Sequence, residues 1–189
     1  PGVTAFGLTE ARVTGDTAAR IEGRLAATGV QVWQTHAPTM TGRLSDLDRA
    51  EFANATGADV VLSLHVDRAS SPAPHGLATF YYGRDATTGS ALGARLASLI
   101  QREIVARTDL TDCHSHPRTW DLLRRTRMTA VRIEMGYLTN PHDASRLGDP
   151  AFRDLVAEAI VVALQRLYLP AEIDPETGTM RLDDIAVGQ

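Results

Sequence analysis

Hydrophobic residues recur along this chain with two spacings that alternate from segment to segment. Val13, Thr17, Ile21 and Leu25 stand four residues apart, and this spacing predicts the buried face of a helix. Gly29 follows the last of them and is a residue type common at helix ends. Further along the chain, nearly continuous apolar runs replace the four-residue spacing and indicate strands.

Four segments have the composition of strands. Asp59 to His65 (DVVLSLH) is mostly apolar, as expected for a parallel strand covered on both faces. Leu77 to Tyr82 is rich in aromatic residues and Ala130 to Leu138 (AVRIEMGYL) is mostly apolar, so both predict strands. Val30 to Thr35 predicts a shorter strand, whereas Thr108 to Arg118 is polar and predicts a loop.

Helix signals separate these strands. Ser45 and Asp48 have the spacing of a capping box, which predicts a helix running towards Gly57. The apolar positions from Leu92 to Ile104 predict a long amphipathic helix. The pair Asp149-Pro150 predicts the start of a last helix, because proline is favoured in the first helical turn.

The alternation of strands and helices predicts an α/β fold, in which a mostly parallel, twisted sheet is flanked by helices in a single domain. The apolar pattern fades after Pro170, so residues 1–169 are expected to form the domain and 170–189 a tail or strap. In such sheets, functional sites lie beyond the carboxyl ends of the strands. This rule singles out His65.

Composition narrows the class of protein. The chain has 189 residues with 43% hydrophobic and 22% charged residues, which is typical of a globular domain. The longest apolar run, near Ala159 to Leu164, is far shorter than the roughly 20 residues of a membrane span. A net charge of −4 argues against nucleic acid as the main partner. The single cysteine, Cys113, excludes an internal disulfide.

Three residues stand out as candidates for chemistry, each with a structural alternative. His65 ends a strand and is either functional or simply hydrogen-bonded there. Glu134 lies within an apolar strand, where an unpaired carboxylate is costly, so it is paired with Arg132, protonated or facing a cavity. Glu10 opens the first helix, where the helix dipole alone favours a carboxylate.

Two other polar segments are weaker candidates. Cys113, His114 and His116 have a spacing that resembles half of a zinc site, but no second ligand pair accompanies them. The basic segment Arg124 to Arg127 (RRTR) is either a solvated face or a patch that binds carboxylates. Neither Ser63 nor Ser115 has an evident His-Asp arrangement around it.

Four sequence blocks, taken in order, resemble the zinc-dependent N-acetylmuramoyl-L-alanine amidases of type 3, which cleave peptidoglycan. They are GLTE (Gly7 to Glu10), RAEFANATGADVVLSLHVD (Arg49 to Asp67), GLATFYYG (Gly76 to Gly83) and EMGYLTNPHDASRL (Glu134 to Leu147). Each block alone is a weak signal, whereas four blocks in order are a strong one. The resemblance extends from Gly7 to about Tyr168 and implies the amidase type 3 fold.

The resemblance also implies roles for the three candidate residues. The family binds zinc with two histidines and one glutamate, and a second glutamate assists catalysis. Glu10 falls on the ligand glutamate, His65 on the second ligand histidine, and Glu134 on the catalytic glutamate. The implied reaction is hydrolysis of the amide between the lactyl group of N-acetylmuramic acid and L-Ala, with peptidoglycan or a muropeptide as substrate.

The chain departs from the family pattern at three places. The D-P-G-H-G-G segment that carries the first ligand histidine is absent, and Pro1-Gly2 fits a Pro-Gly that follows it in the family. The first strand and first ligand are therefore expected upstream of this chain; the alternative is a real deletion. Asp67 replaces an asparagine, and His36 stands where the family usually has arginine.

Within the family, the chain most resembles the actinobacterial CwlM-like group. The segments that carry this resemblance are Arg118 to Asp143 and Leu167 to Thr179. Some members of that group lack intact zinc ligands and are thought to regulate cell-wall synthesis. The alternative function is therefore that of a catalytically impaired, amidase-like regulator that binds a cell-wall synthesis protein. Hydrolysis implies an exported protein, and regulation would allow a cytoplasmic one.

Overall fold

The computed structural model describes residues 2, 4–35, 44–85, 87–170 and 172–180 of the chain. His36 lies outside the described residues. The strands are β1 (Thr4–Ala5), β2 (Leu8–Thr9), β3 (Val60–Asp67), β4 (Leu77–Tyr82), β5 (Asp112–Arg118) and β6 (Thr129–Tyr137). The helices are α1 (Glu10–Ala27), α2 (Asp46–Thr56), α3 (Ala91–Arg107), α4 (Asp121–Arg125), α5 (Pro141–Gly148) and α6 (Pro150–Leu167).

The predicted helix starts are confirmed by their capping contacts. Ser45 and Asp48 form a complete capping box at α2, in which the Ser45 hydroxyl accepts from the Asp48 N–H and the Asp48 carboxylate accepts from the Ser45 N–H. Gly57 ends that helix in the left-handed conformation, with a φ of 68°. Asp149 caps α6 by accepting from the backbone of Ala151. These contacts satisfy backbone groups that a helix end leaves without partners.

The main sheet has the strand order β3-β6-β4-β5. β3 pairs with β6 and β4 with β5 in parallel, whereas β4 and β6 are antiparallel. The expected α/β fold with helices around a central sheet is thus confirmed, with one antiparallel pairing at its centre. The further first strand expected ahead of Pro1 stays a prediction.

The predicted strand at Val30 to Thr35 is wrong, since these residues form no strand. The backbone at the start of this segment instead takes part in ending helix α1. The N–H groups of Thr28 and Val30 both donate to the Leu25 carbonyl, which wraps the chain around the helix end. Val30 and Trp33 remain exposed, so their apolar character is not matched by burial.

The predicted loop at Thr108 to Arg118 is also wrong over most of its length, because β5 forms within it. β5 lies at one edge of the sheet and pairs in parallel with β4. The pairing is made by backbone groups, which every residue except proline supplies in full. An edge strand therefore forms from a polar sequence that shows no strand periodicity.

The two faces of the sheet differ in character because successive side chains of a strand point to opposite sides. One face carries fully buried residues, among them Leu77, Val131 and Ile133. Helices α1 and α3 pack against this side, and α6 packs against both of them. The opposite face carries the polar side chains of β3 and β6. No helix within the described ranges is long and apolar enough to cross a membrane.

The segment 172–180 lies as a strap across the carboxyl-terminal ends of α3 and α6. Arg166 donates to the Asp174 carboxylate at 2.7 Å and to the Pro175 carbonyl at 2.7 Å. Glu103, which is fully buried, forms ion pairs with Arg107 and Arg166. The Glu103 carboxylate also accepts from the backbone N–H of Gly178, so the strap and both helices share one buried ionic cluster.

This cluster predicts a large and specific stability loss for Glu103→Gln. The substitution leaves two mostly buried guanidiniums without their shared carboxylate, and we expect the free energy of unfolding to fall by about 3 kcal/mol. Glu51→Gln is the matched control, because Glu51 is exposed on α2 and such surface changes alter stability by about 0.5 kcal/mol or less. Urea denaturation measures both values. Equal losses would show that the cluster contributes little.

Candidate active site

The candidate site forms where β3 and β6 run side by side. In their parallel register His65 is the partner of Glu134, and Ser63 is the partner of Arg132. Since side chains two residues apart share a face, these four residues lie together on the polar face of the sheet. Sequence reasoning placed His65 at the end of one strand and Glu134 within another, and the register brings the two residues together.

Glu10 reaches this site from the first turn of α1. The helix begins directly after the β1–β2 hairpin, and the Thr9 hydroxyl caps it by accepting from the Arg12 N–H. Glu10 Oε1 lies 2.9 Å from His65 Nδ1. On the other side of the imidazole ring, Nε2 lies 2.9 Å from the Ser63 hydroxyl. Both ring nitrogens of His65 are thereby engaged, which fixes the orientation of the ring.

The chain near its first residue passes directly over Glu10. A Cβ atom added to Gly2 would lie 1.8 Å from Glu10 Oε2, a separation that no side chain tolerates. Glycine at position 2 therefore allows the backbone to touch the carboxylate of the candidate ligand. The backbone at Gly2 therefore lies beside the Glu10–His65 pair.

Glu134 is held by only one of its two carboxylate oxygens. Arg132 donates to Oε1 from Nε at 2.7 Å, and its Nη2 lies 2.6 Å from the same oxygen. Oε2 is buried and has no hydrogen-bond partner among the residues that the structure describes. Burial raises the pKa of Glu134, and the positive charge of Arg132 together with the nearby His65 offsets part of that rise. The carboxyl group thus keeps one oxygen for a water or a substrate group.

Arg132, which is paired with Glu134, is itself in contact with an aromatic ring. The guanidinium carbon of Arg132 lies 4.9 Å from the ring centroid of Trp120, within the range of a cation–π interaction. Sequence reasoning identified the Arg132–Glu134 ion pair as the alternative to a catalytic Glu134, and that ion pair is present. It missed Trp120, because no local pattern indicates that a residue ahead of α4 contacts β6.

The site contains two donors of the kind that zinc prefers. A carboxylate oxygen and an imidazole nitrogen that bind one tetrahedral ion are about 3.3 Å apart, and the separation of 2.9 Å between Glu10 and His65 is close to this. The donor types and their spacing fit a metal, although the part of the chain that the structure describes assembles no group of three His, Cys, Asp or Glu side chains for one.

The weaker zinc candidate at Cys113, His114 and His116 is not formed. The Cys113 thiol donates to the His75 carbonyl. His116 Nε2 lies 2.6 Å from the Cys113 carbonyl oxygen, and His114 lies beside Asp112 at 3.4 Å. The thiol and the two imidazoles therefore engage three separate protein groups rather than a common point.

Asp143 supports the site from the first turn of α5, the helix that follows β6, and sequence reasoning missed it. Its carboxylate accepts from the N–H groups of Tyr137 at 2.9 Å and Gly76 at 2.8 Å. It thereby joins the end of β6 to the start of β4. Gly136 has a φ of 131°, which favours glycine, and a Cβ atom there would lie 3.1 Å from the Asp143 carboxylate. Both residues hold the carboxyl end of β6 in place.

This fold also occurs in known proteins. A family model described as N-acetylmuramoyl-L-alanine amidase matches residues 1–166. The chain belongs to this amidase family. The match covers every candidate site residue, and members of this amidase family are generally metal-dependent.

Individual members of the amidase family are similar to this chain in sequence and in structure. The chain is 46% identical over 179 residues to the N-acetylmuramoyl-L-alanine amidase CwlM of Mycobacterium tuberculosis, covering 94% of this chain and 43% of that protein. It is 30% identical over 164 residues to LytC of Bacillus subtilis, covering 84% of this chain and 31% of that protein. A crystal structure of the N-acetylmuramoyl-L-alanine amidase from Clostridium difficile 630 superposes with a TM-score of 0.77 at 25% identity, over 87% of both chains. The chain spans less than half the length of either curated relative.

The raised pKa of Glu134 predicts how stability depends on pH in metal-free protein. Above the ordinary glutamate value of 4.5 and up to the raised folded value, the folded state binds more protons than the unfolded state. The free energy of unfolding therefore falls as the pH rises through this range. Glu134→Gln removes the titrating group and is expected to remove this contribution. Urea unfolding of both proteins at a series of pH values measures the difference, and a contribution of opposite sign would contradict the raised pKa.

Proposed function

We propose that this chain is the catalytic domain of a zinc-dependent N-acetylmuramoyl-L-alanine amidase. Its substrate is peptidoglycan or a muropeptide, and the bond cleaved is the amide between the lactyl group of N-acetylmuramic acid and L-Ala. The observation that supports this proposal most directly is the meeting of Glu10, His65 and Glu134 on one face of the sheet. Two of these side chains are suited to a metal, and the third is a carboxylate with one unpaired oxygen.

In this proposal, Glu10 and His65 hold the zinc ion. If His65 Nε2 donates to the Ser63 hydroxyl, 2.9 Å away, Nδ1 on the side of Glu10 would be the nitrogen available to a metal. Such an outer contact orients a ligand histidine and selects its tautomer. A catalytic zinc site usually has three protein ligands, and the backbone at Gly2, which contacts Glu10, lies beside this pair. Bound zinc polarises the scissile carbonyl and lowers the pKa of a water molecule towards about 7.

Glu134 moves the proton in the proposed reaction. Its Oε2 accepts a proton from the attacking water and then donates it to the nitrogen of the leaving L-Ala. A carboxyl group does this best when its pKa lies near the working pH, and burial raises the pKa of Glu134 in that direction. Arg132 keeps Oε1 occupied, so the transfer is confined to Oε2.

Glu134→Gln tests this role directly. The amide keeps the size of the side chain but cannot accept the proton, so we expect turnover to fall by at least about 100-fold. Bound zinc should stay at the wild-type stoichiometry, since Glu134 is not a ligand. The assay measures release of L-Ala amino termini from a muramyl-peptide by zinc-loaded protein. Wild-type turnover in this variant would leave Glu134 as an ion-pair partner only.

His65→Ala tests the metal site, with His114→Ala as the matched control. We expect the first variant to lose bound zinc and the second to keep it, because His114 is exposed on β5 at the edge of the sheet. Metal analysis after dialysis measures the zinc content of both proteins. Retention of stoichiometric zinc by His65→Ala would place the metal elsewhere.

The same experiments separate the amidase from an amidase-like regulator. Two ligands alone hold zinc weakly, so a protein that lacks the third would bind little metal and show no turnover in folded form. That outcome would favour a regulatory role, in which the open face of the sheet docks a cell-wall synthesis protein or a muropeptide. Stoichiometric zinc and turnover together would exclude it.

A further inference from the structure

The polar face of the sheet extends beyond the candidate active site, over β4 and β5. Arg132 is the register partner of Phe80, and Phe80 is the partner of His116. Tyr82 and Arg118 form the next pair on the same face, two residues further along. Side chains of four neighbouring strands therefore build one continuous surface that begins at His65 and Glu134 and ends at the edge strand β5.

Arg118 is seated on two aromatic rings of this surface. Its guanidinium carbon lies 5.3 Å from the ring centroid of Phe80 and 5.9 Å from that of Trp120. The two rings contact each other, with centroids 4.8 Å apart. The guanidinium carbon of Arg132 also lies 4.9 Å from the ring centroid of Trp120, so one indole ring contacts two guanidiniums. We call Phe80, Trp120 and Arg118 the arginine platform.

The two arginines differ in how their charge is balanced. Arg132 is paired with Glu134. Arg118 has no carboxylate within ion-pair distance among the residues that the structure describes, and its Nη1 donates to the Pro117 carbonyl at 2.9 Å. Aromatic faces attract a cation without neutralising it. The platform therefore presents an exposed guanidinium whose charge is not cancelled, beside a site in a chain of net charge −4.

We propose that the arginine platform binds a carboxylate of the peptide part of the substrate, a subsite that rests on the proposed amidase function. The planar guanidinium matches the geometry of a carboxylate and pairs with it through two parallel hydrogen bonds. In a muropeptide the glycan is neutral, whereas the stem peptide that begins at the scissile amide carries free carboxylates. A carboxylate of the stem peptide is thus the part of the substrate whose charge complements Arg118.

The position of the platform suits a peptide that leads away from the reacting amide. Glu134 contacts Arg132, Arg132 contacts Trp120, and Trp120 contacts Arg118, so the platform follows the acid–base residue through an unbroken series of contacts. Trp120 contacts both arginines of this series. Arg132 is the one paired with Glu134, and Arg118 is the one that binds the substrate carboxylate.

Binding measurements on protein freed of metal by a chelator test the subsite without turnover. The two probes are an N-acetylmuramoyl tripeptide with its carboxylates free and the same compound with those carboxylates converted to amides. Calorimetry gives the Kd of each probe for wild type, Arg118→Gln and Arg118→Lys. The matched control is Arg95→Gln, which removes the same charge from an exposed position of α3 on the opposite side of the sheet.

We expect wild type and Arg95→Gln to bind the free-carboxylate probe about tenfold more tightly than the amide probe. Arg118→Gln should bind both probes equally, and Arg118→Lys should restore part of the preference, because it keeps the charge and loses the planar pairing. A preference that persists in Arg118→Gln would overturn the subsite. Absence of any preference in wild type would overturn it as well. Thermal unfolding of each variant verifies that it is folded.

Turnover by metal-loaded protein separates failure of the subsite from failure of the amidase. If wild type hydrolyses the muramyl-peptide but shows no carboxylate preference, the amidase stands and the subsite does not. If the preference depends on Arg118 while no hydrolysis occurs, the platform binds a muropeptide in a protein that is not an amidase. If wild type both hydrolyses the muramyl-peptide and shows a carboxylate preference that depends on Arg118, Arg118→Gln should raise KM about tenfold and change kcat little.

Discussion

The parallel pairing of β3 with β6 is the interaction on which the rest of the site depends. It sets His65 beside Glu134, and a slip of one residue would turn one of the two side chains to the other face. The register is held from the far side of the sheet, where Val131 and Ile133 are fully buried against helices. Burial of apolar side chains on one face thus determines which polar side chains meet on the other.

Two buried glutamates show how the surroundings of a carboxylate determine its use. Glu103 has both oxygens engaged, by two arginines and by the Gly178 N–H, and it joins the strap to the helices. Glu134 has one oxygen paired with Arg132 and the other without a partner. A buried polar atom without a partner costs free energy, and folds retain such atoms mainly where function requires them. The contrast indicates a structural role for Glu103 and supports the proposed catalytic role of Glu134.

Local signals in the sequence predicted most of the fold. The capping box at Ser45 and the Asp149-Pro150 start of α6 depend on neighbouring residues, and both were predicted correctly. β4 was predicted with its true bounds, because its aromatic residues form a half-buried strand. The two errors, at Val30 to Thr35 and at β5, arise where distant partners decide the structure. An edge strand made of polar residues depends on the backbone of its neighbour, which no local pattern reveals.

The sequence by itself determined the residue types, the helix and strand periodicities and the family, and therefore the candidates Glu10, His65 and Glu134. Only the tertiary structure decided which of them meet, since Glu10 and His65 are 55 positions apart and contact each other through the packing of α1 beside β3. It also decided that Trp120 lies between Arg132 and Arg118. The physical reason is that periodicity acts over a few residues, whereas strand register and side-chain contact are set by burial of the whole core.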